Sequence, residues 1–456
     1  MSKRVNTSQT PMESARMQDI VSLCKRRGFV FAGSEIYGGL QAAWDYGPLG
    51  VELRNNIKRA WWEAMTQERD DIVGIDSAIL MARQVWKASG HESGFNDPMV
   101  DCKNCKERFR ADHLVEFQQE HNLALDVCPN CGKQGTLTEP RQFNLMFKMN
   151  FGPVADDSSI VYLRPETAQG IYVNFPNVQQ SMRRRVPFGI AQIGKAFRNE
   201  IVTANFIFRM REFEQMEMQF FVEPGTEDQW FEQWRQNRWS WYESIGMNME
   251  HIHWHQHGPD ELAHYAKAAW DIYYDFPFGS KELEGVHNRT DFDLQRHAEF
   301  SGKDLSYFDD ATKKRYVPFV VETSVGADRL TLALLSDAYS EDIVDEEKRI
   351  VMRFAKRIAP VKAAIMPLSK KEPLINLAKD VKKSLRYLGV TQFDDTGGSI
   401  GKRYRRQDEI GTPYCITVDF DSLEDNQVTV RDRDTTEQKR VPIAELARTL
   451  AEDLRS

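Results

Sequence analysis

The sequence predicts an α+β protein with two domains and one inserted segment. Within a first domain spanning 1–350, two long runs of strand-forming residues, 188–200 and 206–222, are joined by a short loop and predict a hairpin. Over 358–456, short apolar strands alternate with helical segments, which is typical of a small α/β domain. Residues 95–140 are rich in loop-forming residues and carry paired cysteines, so we expect them to form an insertion in the first domain.

Composition places the chain among ordinary globular proteins. Of its 456 residues, 41% are hydrophobic and 28% are charged, which excludes a disordered, collagen-like or disulfide-stapled chain. The sequence contains no apolar run of about 20 residues and begins with a polar segment, so we expect a cytoplasmic protein without a membrane span. With a net charge of −8, any nucleic-acid partner would have to bind at local basic patches.

Apolar spacing and stop signals predict the other elements of the first domain. Helical spacing over 12–27 ends at a glycine, and a second helix begins at Pro48, a residue that the first helical turn tolerates. Residues 316–323 have the composition of a strand and lead into a helix over 326–339. The charge-dense stretch 341–357 is expected to end this domain.

The two predicted hairpin strands should each carry two distinct faces, because side chains alternate along a strand. One interpretation of the polar face is a solvated surface with salt bridges. The other is a nucleotide site, in which arginines bind phosphate oxygens and a ring stacks on a base. The mixture of arginines with an aromatic residue favours the nucleotide. The apolar face is predicted to carry Phe206, Phe208, Met210, Met216, Met218 and Phe220, and the polar face Arg209, Arg211, Phe213 and Glu217, with Arg198 and Glu200 sharing a face of the first strand.

Three short motifs resemble those of class II aminoacyl-tRNA synthetases. The residues FRNE at 197–200, followed by REF at 211–213, resemble motif 2. Pro48 with its helix resembles motif 1, and GADR at 326–329, on a strand-to-helix turn, resembles motif 3. Each motif is loose alone, but their order and spacing together are a strong signal. Motifs 1, 2 and 3 are expected near 44–66, 190–221 and 317–338.

Longer segments are similar to the homodimeric glycyl-tRNA synthetases, over about residues 20–456. They include AWDYGPLGVELRNN, VWKASGH, RPETAQGIY, NRTDFDL and GKRYRRQDEIGTPYC. The resemblance implies an antiparallel β-sheet catalytic domain flanked by helices, a zinc-type insertion, a C-terminal anticodon-binding domain and a homodimer with motif 1 at its interface. It also implies that glycine reacts with ATP and Mg²⁺ to give glycyl-adenylate, and that the glycyl group then passes to the 3′ end of tRNA(Gly).

The resemblance assigns a set of residues to ATP. Arg198 matches the arginine that neutralises the α-phosphate, Glu200 the carboxylate near the adenine amino group, and Arg329 the residue facing the γ-phosphate; these three are the expected catalytic residues. Phe213 matches the ring that stacks on adenine, and Glu282 matches an ATP and Mg²⁺ contact. The remaining expected ATP contacts are Asn199, Phe208, Arg209, Met210, Arg211, Glu212, Leu283, Arg289 and Gly326.

Glycine offers an ammonium, a carboxylate and no side chain, so its site should combine several carboxylates with tight walls. A larger amino acid is excluded by collision, so no proofreading domain is expected. One departure from the family is Thr323, which stands where a proline is common and is expected to loosen a turn. The residues that match the family's glycine site are Glu166, Glu217, Glu322 and Ser324, with Arg110, Phe213 and Thr323 as further expected contacts.

Four cysteines form two CxxC pairs separated by 22 residues, at Cys102, Cys105, Cys128 and Cys131. Two such pairs suit a tetrahedral, closed Zn²⁺ site that contributes to folding rather than to catalysis. A reduced cluster without metal is the alternative. Alternating histidines at 251, 253, 255 and 257 are expected on one strand face, where a polar surface is favoured over a metal site.

A basic cluster surrounds Tyr404 in the second domain. The preceding GGSIGK resembles a phosphate-binding loop only superficially, because its spacing differs and arginine replaces the Ser or Thr that binds Mg²⁺. The resemblance favours contact with tRNA, and an exposed solvated face is the alternative. The expected tRNA-binding residues are Lys402, Arg403, Arg405 and Arg406.

Two rival functions remain open at this point. Another synthetase of the same subclass, such as the histidyl, prolyl or threonyl enzyme, would share the three motifs. A non-catalytic relative, such as an accessory subunit of a DNA polymerase, would bind nucleic acid without aminoacylating it. Such a relative should have lost the phosphate-binding arginines, whereas Arg198, Arg211 and Arg329 are all present.

Overall fold

A computed structural model describes residues 11–153, 156–201, 205–262, 266–344 and 346–454. Among these residues, no helix has the length and apolar character needed to cross a membrane. Both expected helices near the start of the chain are present. In chain order the α-helices are α1 Pro11–Arg27, α2 Pro48–Thr66, α3 Arg83–Ala88, α4 His91–Gly94, α5 Ala111–Glu120, α6 Ala168–Ser181, α7 Glu227–Ser244, α8 Phe292–Ser301, α9 Ala327–Ala338, α10 Glu372–Ser384, α11 Ile400–Asp408, α12 Ser422–Asp425 and α13 Ile443–Asp453.

The strands lie between these helices along the described residues. In chain order they are β1 Val30–Ala32, β2 Trp44–Tyr46, β3 Ile72–Gly74, β4 Leu80–Met81, β5 Asn96–Asp101, β6 Arg108–Arg110, β7 Arg141–Asn144, β8 Lys148–Asn150, β9 Ile160–Leu163, β10 Phe188–Phe197, β11 Glu212–Val222, β12 Ile252–Gln256, β13 Ala268–Phe276, β14 Gly279–Thr290, β15 Tyr307–Asp309, β16 Lys314–Tyr316, β17 Phe319–Gly326, β18 Tyr339–Val344, β19 Glu347–Met352, β20 Ala363–Pro367, β21 Thr391–Phe393, β22 Tyr414–Val418, β23 Gln427–Asp432 and β24 Gln438–Pro442.

A seven-stranded sheet forms the centre of the N-terminal part, in the order β12-β13-β14-β17-β11-β10-β3. Every pair is antiparallel except β3 with β10. The antiparallel sheet implied by the family resemblance is therefore present. Helices α2, α7 and α9 pack against one face of this sheet and enclose its main apolar core.

The other face of the sheet is divided along its length. Helices α6 and α8 cover one end, where Phe175, Phe188 and Phe221 form a second apolar cluster. Towards the other end, the same face carries polar and charged residues. This polar end is where the residues matched to ATP and glycine meet.

The second predicted hairpin strand begins later than expected. Strand β11 starts at Glu212, while Phe206–Phe208 form a 3₁₀ turn, so Phe206 and Phe208 do not lie on a strand face. Strand β10 ends at Phe197, and Arg198 and Glu200 lie in the connection beyond it. The loop bends because Asn205 and Phe206 both adopt positive φ angles, which interrupt an extended strand. Within β11 the predicted alternation is correct.

The insertion is less irregular than its composition suggests. Strands β5, β6 and β7 form a three-stranded antiparallel sheet, and α5 follows β6 directly. The prolines, glycines and lysines of the insertion lie mainly in the two loops that carry the CxxC pairs. The sequence therefore predicts the loops and misses the sheet that supports them.

The C-terminal sheet has the order β21-β20-β22-β23-β24, with a parallel part that includes β20, β21 and β22 and an antiparallel continuation. Its own apolar core includes α10 and α13. The charge-dense stretch before it forms the hairpin β18–β19. From that hairpin Arg349 reaches the C-terminal part, where its Nη1 lies 3.2 Å from Oδ2 of Asp408, and both side chains are buried.

Candidate active site

Sheet register brings the polar residues of four strands into two adjacent rows. In the first row Gln192, Glu217, Ser324 and Gly285 lie side by side on β10, β11, β17 and β14. In the second row Gln219, Glu322 and His287 are neighbours on β11, β17 and β14. Because neighbours in register point to the same face, residues far apart in sequence form one continuous polar surface.

A cleft at the end of these rows contains most of the residues expected to bind ATP. It lies between the β10–β11 connection, β14 and the start of α9. Three of its residues, Ile207, Gln215 and Asp328, are expected contacts of neither ATP nor glycine. The cleft is lined by Arg198, Glu200, Ile207, Phe208, Arg209, Met210, Phe213, Gln215, Glu282, Leu283, Ser324, Gly326, Asp328 and Arg329.

Arg198 is held at one wall of the cleft by backbone and aromatic contacts. Its Nε donates to the Pro165 carbonyl at 3.0 Å, and its backbone N–H donates to the Arg211 carbonyl at 2.9 Å. The guanidinium lies 5.3 Å from the ring centroids of both Phe95 and Phe213. No carboxylate forms an ion pair with this side chain among the described residues, so its charge is available to an anionic ligand.

Arg329 faces the same cleft from the first turn of α9. Its guanidinium lies over the Phe208 ring at 4.5 Å, and its Nη1 is 3.3 Å from Oε2 of Glu282. The side chain of Glu282 is half exposed, so this ion pair can open to solvent or to a ligand. The position at a helix N-terminus adds the favourable field of the helix for an anion.

Asp328, next to Arg329, joins elements from all three sequence motifs. Its Oδ1 accepts hydrogen bonds from the Tyr46 hydroxyl at 2.6 Å and from Arg54 at 3.1 Å, and its Oδ2 accepts one from the Glu214 backbone N–H at 2.8 Å. Burial and the neighbouring carboxylate raise the pKa of Tyr46 well above its usual value. Asp328 was within the GADR motif, but its role as a connector could not be read from the sequence.

Glu217 and Glu322 share a hydrogen-bond donor on the polar face. Nε2 of Gln219 lies 2.8 Å from Oε1 of Glu217 and 2.7 Å from Oε2 of Glu322. The Thr167 hydroxyl donates to the other oxygen of Glu217. Burial, together with the nearby carboxyls of Glu322 and Glu166, raises the pKa of Glu217 well above its usual value. The site therefore contains more carboxyl groups than its positively charged groups can neutralise.

Glu166 reaches the same group of acids from the segment before α6. Its Oε1 accepts a hydrogen bond of 2.9 Å from Gln169, and its Oε2 lies 3.4 Å from Nε2 of His91. Burial opposes its ionisation, but His91, Arg289 and Gln169 outweigh that effect and lower the pKa of Glu166. The acids matched to glycine therefore belong to one connected group.

Arg289 contacts the acids and does not line the cleft, so its expected contact with ATP stays a prediction. Its Nη1 is 3.2 Å from Oε2 of Glu322, and its Nε is 2.8 Å from Oδ2 of Asp293. Burial opposes the ionisation of Glu322, but Arg289 and His287 lower its pKa to about 2. The contact with Glu322 could not be read from the sequence, because Glu322 lies on β17, whereas Asp293 is only four residues along the chain.

Four other expected contacts do not line the cleft. The Arg211 side chain donates to the carbonyls of Gln41 and Glu200, so it fixes the connection beside the cleft. Glu212 forms an exposed pair with Lys195. Asn199 is held by its backbone N–H, and Arg110 contacts Asp97 and Asp112 of the insertion. Arg211 thus positions Arg198 through the backbone hydrogen bond between them.

Thr323 occupies the middle of β17 and pairs with strands on both sides. The expectation that a proline-free turn would loosen here is therefore wrong, because there is no turn at this position. Glu322 and Ser324 point to the polar face, while Thr323 lies on the opposite face and is fully buried.

The cysteine cluster has the geometry of a tetrahedral thiolate site. The Sγ atoms of Cys102 and Cys131 are 3.8 Å apart, those of Cys105 and Cys128 are 3.7 Å apart, and all four lie within 4.8 Å of one another. A zinc ion with Zn–S bonds of about 2.3 Å places the sulfurs of a regular tetrahedron about 3.8 Å apart. The four residues therefore fit Zn²⁺, with no position left open for a substrate.

Comparisons with known proteins agree with this geometry. Residues 147–338 match the family described as tRNA synthetase class II core domain (G, H, P, S and T), and residues 362–453 match the anticodon binding domain. The chain is 60% identical to a glycine–tRNA ligase of Treponema denticola, over 94% of this chain and 95% of that protein. It is 53% identical to a glycine–tRNA ligase of Thermobifida fusca, over 97% of this chain and 99% of that protein. It is 54% identical to one of Clostridium acetobutylicum, over 96% of this chain and 99% of that protein.

The chain belongs to the glycine–tRNA ligase family. It is therefore a class II aminoacyl-tRNA synthetase, and the non-catalytic alternative is set aside. Within this family assignment, the segment matched to the anticodon binding domain includes the expected basic cluster.

One of the four expected tRNA contacts, Arg403, is buried together with its neighbour Tyr404. Arg403 is 4% exposed, and its guanidinium donates to the carbonyls of Pro367 and Asp394. The Tyr404 hydroxyl is bonded to Thr417 at 2.6 Å. The helical period of α11 turns these two side chains inward, while Lys402 remains exposed and Arg405 and Arg406 are partly exposed.

The alternating histidines do not share one face. Strand β12 begins after His251, which contacts Asp337 and the ring of Tyr274. His253 and His255 instead contact Tyr273 on the opposite face, and His257 contacts Asp271. A 3₁₀ turn over Met249–His251 interrupts the alternation. Each imidazole has its own carboxylate, as a polar strand surface requires.

Proposed function

We propose that this chain joins glycine to the 3′ end of tRNA(Gly) in two steps, using ATP. The observation that carries the proposal is the connected group of Glu166, Glu217 and Glu322 beside a cleft lined by Arg198 and Arg329. Ser324 belongs to both regions, since it neighbours Glu217 and lines the cleft. An ammonium and a polyphosphate can therefore lie next to each other.

In the first step, a carboxylate oxygen of glycine attacks the α-phosphorus of ATP and pyrophosphate leaves. Negative charge on the phosphate oxygens develops beside Arg198, and Arg329 binds the departing phosphates. In the second step, a hydroxyl of the terminal adenosine of tRNA attacks the glycyl carbonyl and releases AMP. Neither step requires a protein nucleophile, so positioning and charge stabilisation supply the catalysis.

The acids recognise glycine by charge and by limited space. Glu217, Glu322 and Glu166 offer carboxylate oxygens to the ammonium, and the ammonium in turn favours the ionised form of Glu217. Gly194, in register with Gln215 on the same face, has no room for a side chain, because an added Cβ would lie 2.2 Å from Nη2 of Arg164. The buried Arg164 guanidinium therefore packs directly against β10 here and fills the space beside the polar rows.

Two metals complete the proposal. Mg²⁺ is held in such sites by one or two carboxylates together with the phosphates of the substrate, and Glu282, half exposed in the cleft, is the carboxylate that we propose for it. When bound, Mg²⁺ would neutralise phosphate charge. Zn²⁺ on the four cysteines would stabilise the insertion, from which Arg110 extends.

A homodimer and tRNA contacts by the C-terminal sheet are the further parts of the proposal. The loop between β1 and β2 exposes Ile36, Tyr37 and Leu40, whose exposed fractions are 89%, 86% and 60%. Such an exposed apolar group next to the motif 1 segment supports contact with a second copy of the chain.

Lys402, Arg405 and Arg406 remain the proposed tRNA contacts, and a cytoplasmic location is consistent with this role.

The deciding experiment is ATP–pyrophosphate exchange with different amino acids, followed by aminoacylation of total tRNA. We expect exchange with glycine and none above background with histidine, proline, threonine or alanine. Radioactive glycine should then be transferred to tRNA, and transfer should weaken as salt is raised. Exchange driven by one of the other amino acids, with no response to glycine, would refute the proposal.

A further inference from the structure

A line of alternating acids and imidazoles crosses the polar face of the sheet and ends at the glycine-site acids. Nε2 of His257 lies 2.7 Å from Oδ2 of Asp271, whose Oδ1 lies 3.3 Å from Nε2 of His287. Nδ1 of His287 then lies 3.1 Å from Oε1 of Glu322. His287 therefore uses both ring nitrogens on carboxylates, an arrangement in which both nitrogens donate only when the ring is protonated.

We propose that His287 is a positioning residue that holds the Glu322 carboxylate ready for the glycine ammonium. The protonated imidazole of His287 binds Glu322. Asp271, which is itself bound to His257, holds the imidazole in place. This inference rests on the proposed function, because it gives Glu322 the task of binding glycine. His287 lies on β14, two residues before Arg289, and belongs to none of the sequence motifs.

Electrostatics supports this role. Burial opposes protonation of His287, yet the hydrogen bonds to Asp271 and Glu322 raise its pKa to about 9. Loss of this cation would leave Glu322 with Arg289 as its remaining cation, beside Glu217, whose own pKa is already raised, so the two acids would be harder to ionise together. The titratable and charged groups that face His287 and its partner Glu322 from the surrounding elements are His257, Asp271, Arg289, Glu217, Glu166 and Asp293.

The backbone leaves space for the imidazole at one particular glycine. A Cβ added to Gly285 would lie 2.8 Å from Nε2 of His287 and 3.4 Å from Oδ1 of Asp271. The φ angle of Gly285 is not in the positive range, so alanine there tests space rather than backbone conformation. Gly285→Ala is therefore a way to displace the imidazole without changing any titratable residue.

The test compares His287→Gln, which keeps an N–H donor but loses the charge, with Gly285→Ala and with the control His253→Gln. His253 lies on the exposed edge strand, and its side chain is half exposed. We expect KM for glycine in exchange to rise about 10- to 100-fold in the first two variants and KM for ATP to stay within about twofold. The control should match the wild type in both.

The pH profile separates positioning by charge from a general structural defect. Removing the cation makes the Glu217–Glu322 pair harder to ionise, so the acid limb of kcat/KM for glycine, which this pair sets, should move upwards by about one pH unit in His287→Gln. An unchanged KM for glycine and an unmoved acid limb, in a wild-type protein that does exchange glycine, would overturn this inference alone. Failure of the wild type to exchange glycine would instead refute the proposed function.

Discussion

The hydroxyl of Tyr46 donates a hydrogen bond of 2.6 Å to Oδ1 of Asp328, across 282 residues of sequence. Tyr46 ends the strand before α2, and Asp328 opens α9 beside the arginine of the cleft. Arg54 and the Glu214 backbone N–H bind the same carboxylate. The three sequence motifs are therefore joined at one buried acid, and their relative positions depend on it.

Asp328→Ala should lower both stability and ATP use. It removes a buried carboxylate from the partly buried Tyr46 and Arg54, and Arg54 keeps only Glu214, 3.5 Å away, among the described carboxylates. Breaking a fully buried pair costs about 3–5 kcal/mol, which is the upper limit for this loss. Urea unfolding should report the loss of stability, and KM for ATP should rise because α9 is no longer fixed to β11. As a control, Asp310→Ala removes a carboxylate that is 85% exposed and should leave both quantities unchanged.

Arg198→Ala should abolish ATP–pyrophosphate exchange while the protein remains folded. The side chain forms one hydrogen bond to a carbonyl and two ring contacts, so its loss has little effect on the core. The loss of a positive charge at the α-phosphate should reduce kcat by at least about 100-fold. Arg183→Ala, at an exposed position, is the matched control. Exchange at the wild-type rate in the Arg198 variant would show that this residue is not at the α-phosphate.

Glu217→Gln should stabilise the protein and remove its use of glycine. Because the native pKa of Glu217 is raised, the native state binds more protons than the unfolded state above the usual value of 4.5. The unfolding free energy of the wild type therefore falls as pH rises through this window, and the variant escapes that loss. Each pKa unit corresponds to about 1.4 kcal/mol, so the stability gain should grow between pH 5 and pH 8.

Denaturant unfolding at several pH values checks this prediction. Glu223→Gln, at a partly exposed position near the end of β11, should show no comparable pH-dependent gain. A constant difference between variant and wild type across this pH range would mean that Glu217 is ionised in the free protein. Exchange with glycine should be lost in Glu217→Gln but retained in the control.

Cys102→Ser should reduce bound zinc below one equivalent per chain. The remaining three thiolates bind the ion less tightly, and the insertion loses the folding energy that the metal supplies. Metal analysis of protein purified without chelator measures the content, and thermal unfolding measures the stability. Cys24→Ser is the comparison, because Cys24 lies in the main core and is far from the cluster in sequence. Equal zinc in both variants would contradict a four-cysteine site.

Replacing Ile36 and Tyr37 with aspartate should weaken the proposed dimer. Charges at the centre of an apolar interface are costly to bury, whereas neither side chain contributes to the core of the single chain. Sedimentation at several concentrations should show a lower apparent mass, with unfolding unchanged. Asp substitution of Ile343, which is 77% exposed on β18, serves as the control. A variant that sediments like the wild type would exclude this loop from the interface.

Sequence patterns predict the elements that depend on local signals. The helix beginning at Pro48, the helix after Gly326 and the alternation within β11 are all confirmed. The cysteine spacing likewise brings four thiols together. These features depend on neighbouring residues or on short repeats, so the information that determines them is present within each segment.

Contacts between distant segments could not be predicted in the same way. Glu322, which pairs with Arg289, lies on β17, and the neighbouring His287 belongs to no motif. Arg403 resembles a surface cation in the sequence, but the helical period of α11 buries it against backbone carbonyls. In each case the contact depends on which element packs against the residue. A single sequence does not directly show how its elements pack.

Helix α9 continues without a linker into β18, and the hairpin that follows sends Arg349 to Asp408. Separating that buried pair would cost about 3–5 kcal/mol. The C-terminal sheet is thus tethered mechanically to the helix that begins beside Arg329. Because α9 carries Arg329, a displacement of the C-terminal sheet would pass through β19 and β18 towards the nucleotide cleft for as long as this pair stays intact.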